Sequence, residues 1–208
     1  MKLSSNGVQD GAPIPARYAF FALEPNGDVG FGGNLNPDLS WSDLPEGTES
    51  LVLICHDADA PESRDGVDEE GVTIAEDSPR RDFYHWLLIG LSPDSNGIVE
   101  GAFSNGVVEG GKDDLHGAQD TRQGINDLTG WLEDHPTLAG EYVGYDGPAP
   151  PKNDARLHHV HFTLYALETD ELGLGYWFTA EELFEAMDGY VLAEARLTGT
   201  YTLNPELA

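Results

Sequence analysis

Three stretches of this 208-residue chain carry side chains able to do chemistry. The first is His56-Asp57-Ala58-Asp59-Ala60-Pro61, where a two-residue period sends Asp57 and Asp59 to the same side of a strand and gives two acids one small site. The second is His85, an imidazole inside Phe83-Tyr84-His85-Trp86, a run otherwise fit for a core. The third joins Gly147-Pro148-Ala149-Pro150-Pro151 to His158-His159-Val160-His161. Proline stiffens that loop and removes amide donors, while Gly147 lets the backbone approach a ligand closely. Each stretch also has a plainer reading: a polar strand end turning at Pro61, a satisfied core histidine at His85, and a rigid turn at 147–151.

An imidazole offers one N–H donor, and two once it is protonated, so histidines converging on a pocket can hold an anion. A carboxylate accepting from one ring nitrogen fixes the tautomer and leaves the other nitrogen aimed at a ligand. The same carboxylates can receive an ammonium group. The expected ligand is therefore a small anion or zwitterion, held more tightly as pH falls through the histidine range near about 6.5.

Two other chemistries would use the same residues. A hydrolase would take His85 or His158 as base with Asp57 as orienter, but there is no Gly-x-Ser-x-Gly elbow, and Cys55 lies inside an apolar run rather than at a turn. A metal site of His56, Asp57, His85 and His158 is chemically sound, yet no His-x-x-x-His or Cys-x-x-Cys spacing supports it, and no cofactor is expected.

The elements that must position these residues are mostly strands. Leu51 to His56, Phe83 to Leu91 and Val160 to Leu167 are apolar, β-branched or aromatic runs of the kind that form buried strands. Between them, residues 62–82 and 100–151 are dense in Gly, Asp, Asn and Pro and read as loops, with short strands expected inside the second. One helix is signalled by Thr179 with Glu182 three residues on, a capping box followed by Leu183, Phe184 and Met187 on one face. Gly189 interrupts it; a second helical stretch is expected from about Tyr190 to Leu197, then a terminal strand from Thr200 to Leu203. Nothing reads as a linker between two cores, so one domain is expected over residues 1–208.

Composition narrows the setting. With 39% hydrophobic residues the chain can build a core, and its one cysteine, Cys55, excludes an intramolecular disulfide. No stretch approaches the roughly 18 apolar residues that cross a bilayer, so a cytoplasmic protein without integral membrane association is expected. Thirty-eight Asp and Glu against ten Lys and Arg give a formal charge of -28, spread along the whole chain. Such a surface repels itself unless salt screens it, which reads as adaptation to a salt-rich cytoplasm and makes nucleic acid a poor partner.

Taken in order, these segments resemble the phosphatidylethanolamine-binding protein family, particularly its bacterial and archaeal, Raf kinase inhibitor-like branch. The resemblance runs from Asn34-Leu-Asn-Pro37-Asp-Leu39-Ser-Trp41 through Leu44-Pro45-Glu-Gly47 and Asp57-Ala-Asp59-Ala-Pro61 to His85-Trp86. It continues at Gly124-Ile-Asn126-Asp127, Gly144-Tyr145-Asp-Gly147-Pro148-Ala-Pro150-Pro151, His158, His161-Phe-Thr-Leu-Tyr165 and Gly199-Thr-Tyr201. It implies a mostly β fold, a β-sandwich with a large antiparallel central sheet, a smaller sheet and short C-terminal helices. It also implies a ligand pocket at Asp57, Asp59, His85, Gly147, Pro148 and His158. Ala58 and Val160 depart from the usual Pro and Tyr, and residues 62–82, 107–123 and 131–141 differ from the family pattern and are placed to cover or reshape the mouth. A protein partner, with the chain inhibiting a kinase or protease, is the rival role, and the oligomeric state, a homodimer among the options, stays open.

Overall fold

The three long apolar runs become the middle of the largest sheet. The computed structural model describes residues 1–113, 116–117 and 121–207. In chain order the strands are β1 (Lys2–Ser4), β2 (Phe21–Leu23), β3 (Val29–Phe31), β4 (Leu39–Ser42), β5 (Ser50–Pro61), β6 (Arg80–Leu91), β7 (Gly97–Ile98), β8 (Arg122–Gln123), β9 (His158–Leu167) and β10 (Val191–Tyr201). The helices are α1 (Leu128–Trp131) and α2 (Ala180–Met187). Five strands form an antiparallel sheet in the order β10-β9-β5-β6-β8, a second sheet has the order β1-β4-β7, and β2 and β3 pair as a ribbon. The mostly β sandwich expected from the sequence is the architecture observed.

The central sheet is covered on both faces, which is why β5, β6 and β9 read as continuous apolar runs instead of alternating ones. Leu51, Leu53 and Cys55 of β5 pack with Leu39, Trp41 and Ile98 of the small sheet, while Val52 and Ile54 pack with Ala180, Leu183 and Met187 of α2. A third cluster of Phe20, Phe83, Leu128, Leu132 and Tyr142 fills the end of the sheet where β5 finishes at Pro61. Burial pushes the Cys55 thiol well above its ordinary pKa, which fits its place as a core side chain.

The capping box at α2 forms as expected: Thr179 Oγ1 accepts from the Glu182 amide, and the Glu182 side chain accepts from the Thr179 amide. Phe184 lies at the edge of the expected apolar face, 37% exposed, against Tyr84 and Tyr165. The second helical stretch expected at Tyr190 to Leu197 is corrected. Residues 191–201 are one strand, with Ala193 to Tyr201 paired against β9 from Ala166 to His158. Ala, Leu, Glu and Arg favour a helix locally, but the long ladder along β9 and burial of Leu197, Thr200 and Tyr201 outweigh that preference. Among the described residues, no helix is long and apolar enough to cross a membrane.

Candidate functional site

Strand β9 opens with His158, and β5 brings Asp57 beside it. His158 Nδ1 is 2.6 Å from Asp57 Oδ2, and its Nε2 is 3.1 Å from Asp154 Oδ2. Both partners accept, so both ring nitrogens carry protons and the ring is an imidazolium. Burial alone would lower its pKa, but hydrogen bonds to Asp154 and Asp57 overcome that and raise it to about 9. Asp154 in turn receives two bonds from Arg80, at 2.5 and 3.0 Å, and the His158 bond, the Arg80 bonds and the Arg156 amide together overcome its burial to hold its carboxyl down at about 2.

His85 stands across the cavity on β6, 2% exposed, with Nδ1 2.9 Å from the Asp146 carbonyl oxygen. A carbonyl only accepts, so Nδ1 carries the proton and Nε2 presents a lone pair. Desolvation is the largest influence on this ring and lowers its pKa to about 4, against the opposing pull of Asp57 and the Asp146 carbonyl. The loop that receives it is fixed by a buried polar layer. Asp146 Oδ1 accepts from Asn34 Nδ2 at 2.7 Å and Lys112 Nζ at 3.0 Å, and Oδ2 accepts from Asn126 Nδ2 at 2.9 Å. Asn34 Oδ1 then accepts from the Gly147 amide at 2.8 Å.

Asp57, His85 and His158 meet around one small cavity, walled by Ala60, Pro61, Phe83 and Trp131 and capped by Ala149, Pro150 and Pro151. It has about 20 Å³ of room for the centre of a water-sized group, enough for about one water or one oxygen of a headgroup seated at its mouth. Asp59, Gly147 and Pro148 are close in sequence to these residues but do not line it. Pairing of β5 with β6 shifts register between Asp57 and Ala60, and this irregularity breaks the alternation that had placed both acids together. Asp59 instead accepts from Arg156 Nε at 2.6 Å and from His159, through its amide at 2.9 Å and its Nδ1 at 2.7 Å. At Gly147 an added Cβ would lie 1.9 Å from the Tyr18 carbonyl oxygen, so the glycine serves close packing of its loop against that backbone. Pro148 accepts the Phe20 amide through its carbonyl at 3.1 Å.

Other site-forming residues gave no isolated signal in the sequence. Asp154 and Arg80 sit in loop-like text 74 residues apart, and only the fold pairs them. A second hollow of about 770 Å³ shares Trp131, Ala149, Pro150 and Pro151 with the cavity and continues along Val67 to Val72, Leu132 and His135, with Arg64 and Lys152 also on its wall. Residues from 62–82 and 131–141 thus shape the ground beside the mouth; the third variable segment, 107–123, includes residues 114–115 and 118–120, outside those described.

The metal alternative does not assemble. His56 turns to Tyr84 and His161, both nitrogens of His158 are occupied, and among the described residues no group of three or more His, Cys, Asp or Glu is arranged to hold an ion.

The sandwich is a fold of known proteins, and comparison carries the assignment from architecture to family. The family model described as phosphatidylethanolamine-binding protein matches residues 4–202, and the chain belongs to that family. A UPF0098 protein of Chlamydia trachomatis is 35% identical over 97% of this chain and 98% of its own length. The UPF0098 protein YbhB of Escherichia coli is 28% identical over 97% of this chain and 100% of its own length. Among solved structures, a Chlamydia trachomatis homologue superposes with a TM-score of 0.63 at 31% identity, covering 96% of this chain and 95% of that one. Escherichia coli YbcL superposes at 0.67 with 22% identity over 97% of both chains, a likeness of fold.

Proposed function

We propose that this protein is a binding protein whose Asp57–His85–His158 cavity takes the phosphate or carboxylate headgroup of a small ligand, with the rest of the ligand passing Trp131 and Pro150 toward the wider hollow. The observation that carries the reading is His85 Nε2: it belongs to a side chain on the cavity wall whose other ring nitrogen is taken, it has no protein partner among the described residues, and it is not one of the atoms shut off from solvent. A neutral ring nitrogen open to a cavity and without a protein partner is free to accept a hydrogen bond from a group that enters it. Local charge permits an anion there despite the overall -28. Asp57, Asp59 and Asp154 are matched by His158, Arg156 and Arg80, so the site itself is close to neutral.

The pH response expected from the sequence needs correction under this geometry. His158 is already a cation at neutral pH, with its pKa at about 9, and His85 resists protonation down to about 4, so neither ring titrates near 6.5. Titration calorimetry of methyl phosphate against the wild-type chain and His85→Asn tests the proposal. Asparagine keeps an N–H for the Asp146 carbonyl and removes Nε2. A melting temperature within a few degrees of wild type and at least about tenfold weaker binding are expected, since losing one buried polar contact costs about 1–3 kcal/mol. Unchanged affinity in a folded variant would remove His85, and the cavity with it, from the account.

A further inference from the structure

An anion site is normally built from donors, and the floor of this cavity has almost none to give. Both N–H groups of His158 are spent on Asp57 and Asp154, and the one N–H of His85 is spent on the Asp146 carbonyl. Pro61, Pro150 and Pro151 have no amide hydrogen. What remains are acceptors: the His85 Nε2 lone pair, and the Asp57 carboxylate, whose Oδ1 takes one bond from the Asp59 amide and whose Oδ2 takes one from His158. Each carboxylate oxygen keeps a second accepting site. Donors stand at the rim. Among the described residues neither the Ala149 amide nor the Trp131 indole N–H has a hydrogen-bond partner.

We infer that the cavity selects an oxyanion that brings its own proton, a phosphomonoester monoanion, over a sulfate ester of equal charge and shape that has none. The inference rests on the reading of the cavity as an oxyanion site. The P–OH of the monoanion donates inward to Asp57 or His85 Nε2, and the ionised oxygens accept from the rim. A sulfate ester turns only lone pairs toward Asp57 and His85, and buried acceptors facing acceptors repel. A phosphomonoester dianion meets the same repulsion with a further charge.

The groups that face His85 leave this logic in place through the neutral range. They are Asp57 and His56 from β5, His158 from β9 and the Asp146 carbonyl from the loop before β9, with the Phe83 ring 5.0 Å away. Desolvation outweighs the two attractive influences, so the ring stays neutral and Nε2 stays an acceptor above about pH 4.

Calorimetric titration of the wild-type protein with methyl phosphate and with methyl sulfate, between pH values of about 5 and 8.5, decides the matter. Methyl phosphate affinity is expected to be level below its second ionisation near about 6 and to fall about tenfold per pH unit above it. Methyl sulfate is expected to bind at least about tenfold more weakly than methyl phosphate at pH about 5.5, because a site built to accept a hydrogen bond rejects the analogue lacking that donor. Equal affinity for the two esters, or a methyl phosphate affinity independent of pH from about 6 to 8, overturns the selectivity while leaving an oxyanion site standing. Failure of both esters to bind overturns the selectivity and the oxyanion site together.

Discussion

Asp154 closes the second nitrogen of His158, Oδ2 to Nε2 at 3.1 Å, with both side chains 1% exposed. They are four positions apart, yet the bond is no helical neighbour contact: Asp154 ends a turn after the proline loop and His158 starts β9. The contact completes a chain from Asp57 through His158 and Asp154 to Arg80, alternating in charge from carboxylate to guanidinium. Its consequence is rigidity. An imidazolium held at both nitrogens by carboxylates that are themselves held can neither rotate nor lend a proton to a ligand, so His158 fixes Asp57 in the cavity wall.

Asp154→Asn tests that chain. The amide keeps the shape and one accepting oxygen but strips Arg80, whose side chain is 9% exposed, of its carboxylate partner. Removing one member of a buried pair costs about 3–5 kcal/mol because the other charge is left without compensation. Chemical denaturation is expected to show a loss on that scale, and NMR titration of the ring nitrogens is expected to show the His158 pKa moving from about 9 back toward 6.5. A variant as stable as wild type with an unmoved His158 titration would show that Asp57 alone holds the ring.

The two site histidines pull stability in opposite directions with pH. His158 has its folded pKa raised from 6.5 to about 9, so its contribution is complete below 6.5 and disappears as pH rises through 9. His85 has its folded pKa lowered from 6.5 to about 4. Between those values the unfolded chain binds a proton that the folded chain refuses, so stability falls as pH drops from 6.5 toward 4. Each arm amounts to about 3 kcal/mol at about 1.4 kcal/mol per pKa unit. Denaturation midpoints measured across the range are expected to peak near pH 6.5, with the acid arm reduced in His85→Asn and the alkaline arm reduced in Asp154→Asn. A profile flat from pH 4 to 9 in the wild-type chain would contradict both assignments.

The cavity's three principal residues were legible from the sequence because each lies in or at the head of a strand with an unmistakable apolar run: Asp57 after Leu51 to Cys55, His85 within Phe83 to Leu91, and His158 before Val160 to Leu167. Asp59 was misplaced because strict alternation cannot foresee a register shift in β5, and the shift turns it toward Arg156 and His159. Residues 190–197 read as helix because Ala, Leu, Glu and Arg favour one locally; the template that overrides them is β9, an earlier strand from another part of the chain. Asp154, Arg80, Asn34 and Lys112 were illegible as site residues for a different reason. Arg80, Asn34 and Lys112 act only through partners 34 to 112 positions away, Asp154 joins its near neighbour His158 to one of them, and a polar residue in a loop carries no local mark of the partner it will find.

Salt should matter to this protein through its surface more than through its site. Among the described residues only Asp57, Asp59, Asp146 and Asp154 are buried acids, and each has a cationic or amide partner. The other described acids lie nearer solvent, in runs such as Asp68-Glu69-Glu70, Glu133-Asp134 and Glu181-Glu182, and the whole chain has a formal charge of -28 to hold together. Screening shortens the reach of that repulsion from about 10 Å at 0.1 M salt to about 3 Å at 1 M, whereas the buried pairs are screened far less. The melting temperature is therefore expected to climb steeply with KCl up to about 1 M and to flatten beyond it, where little surface repulsion remains to remove. The climb should be nearly the same in His85→Asn, whose altered group is inside. A melting temperature that ignores KCl below 1 M would mean that the acidic surface costs the folded state nothing, and the reading of the composition as an adaptation to salt would lose its physical basis.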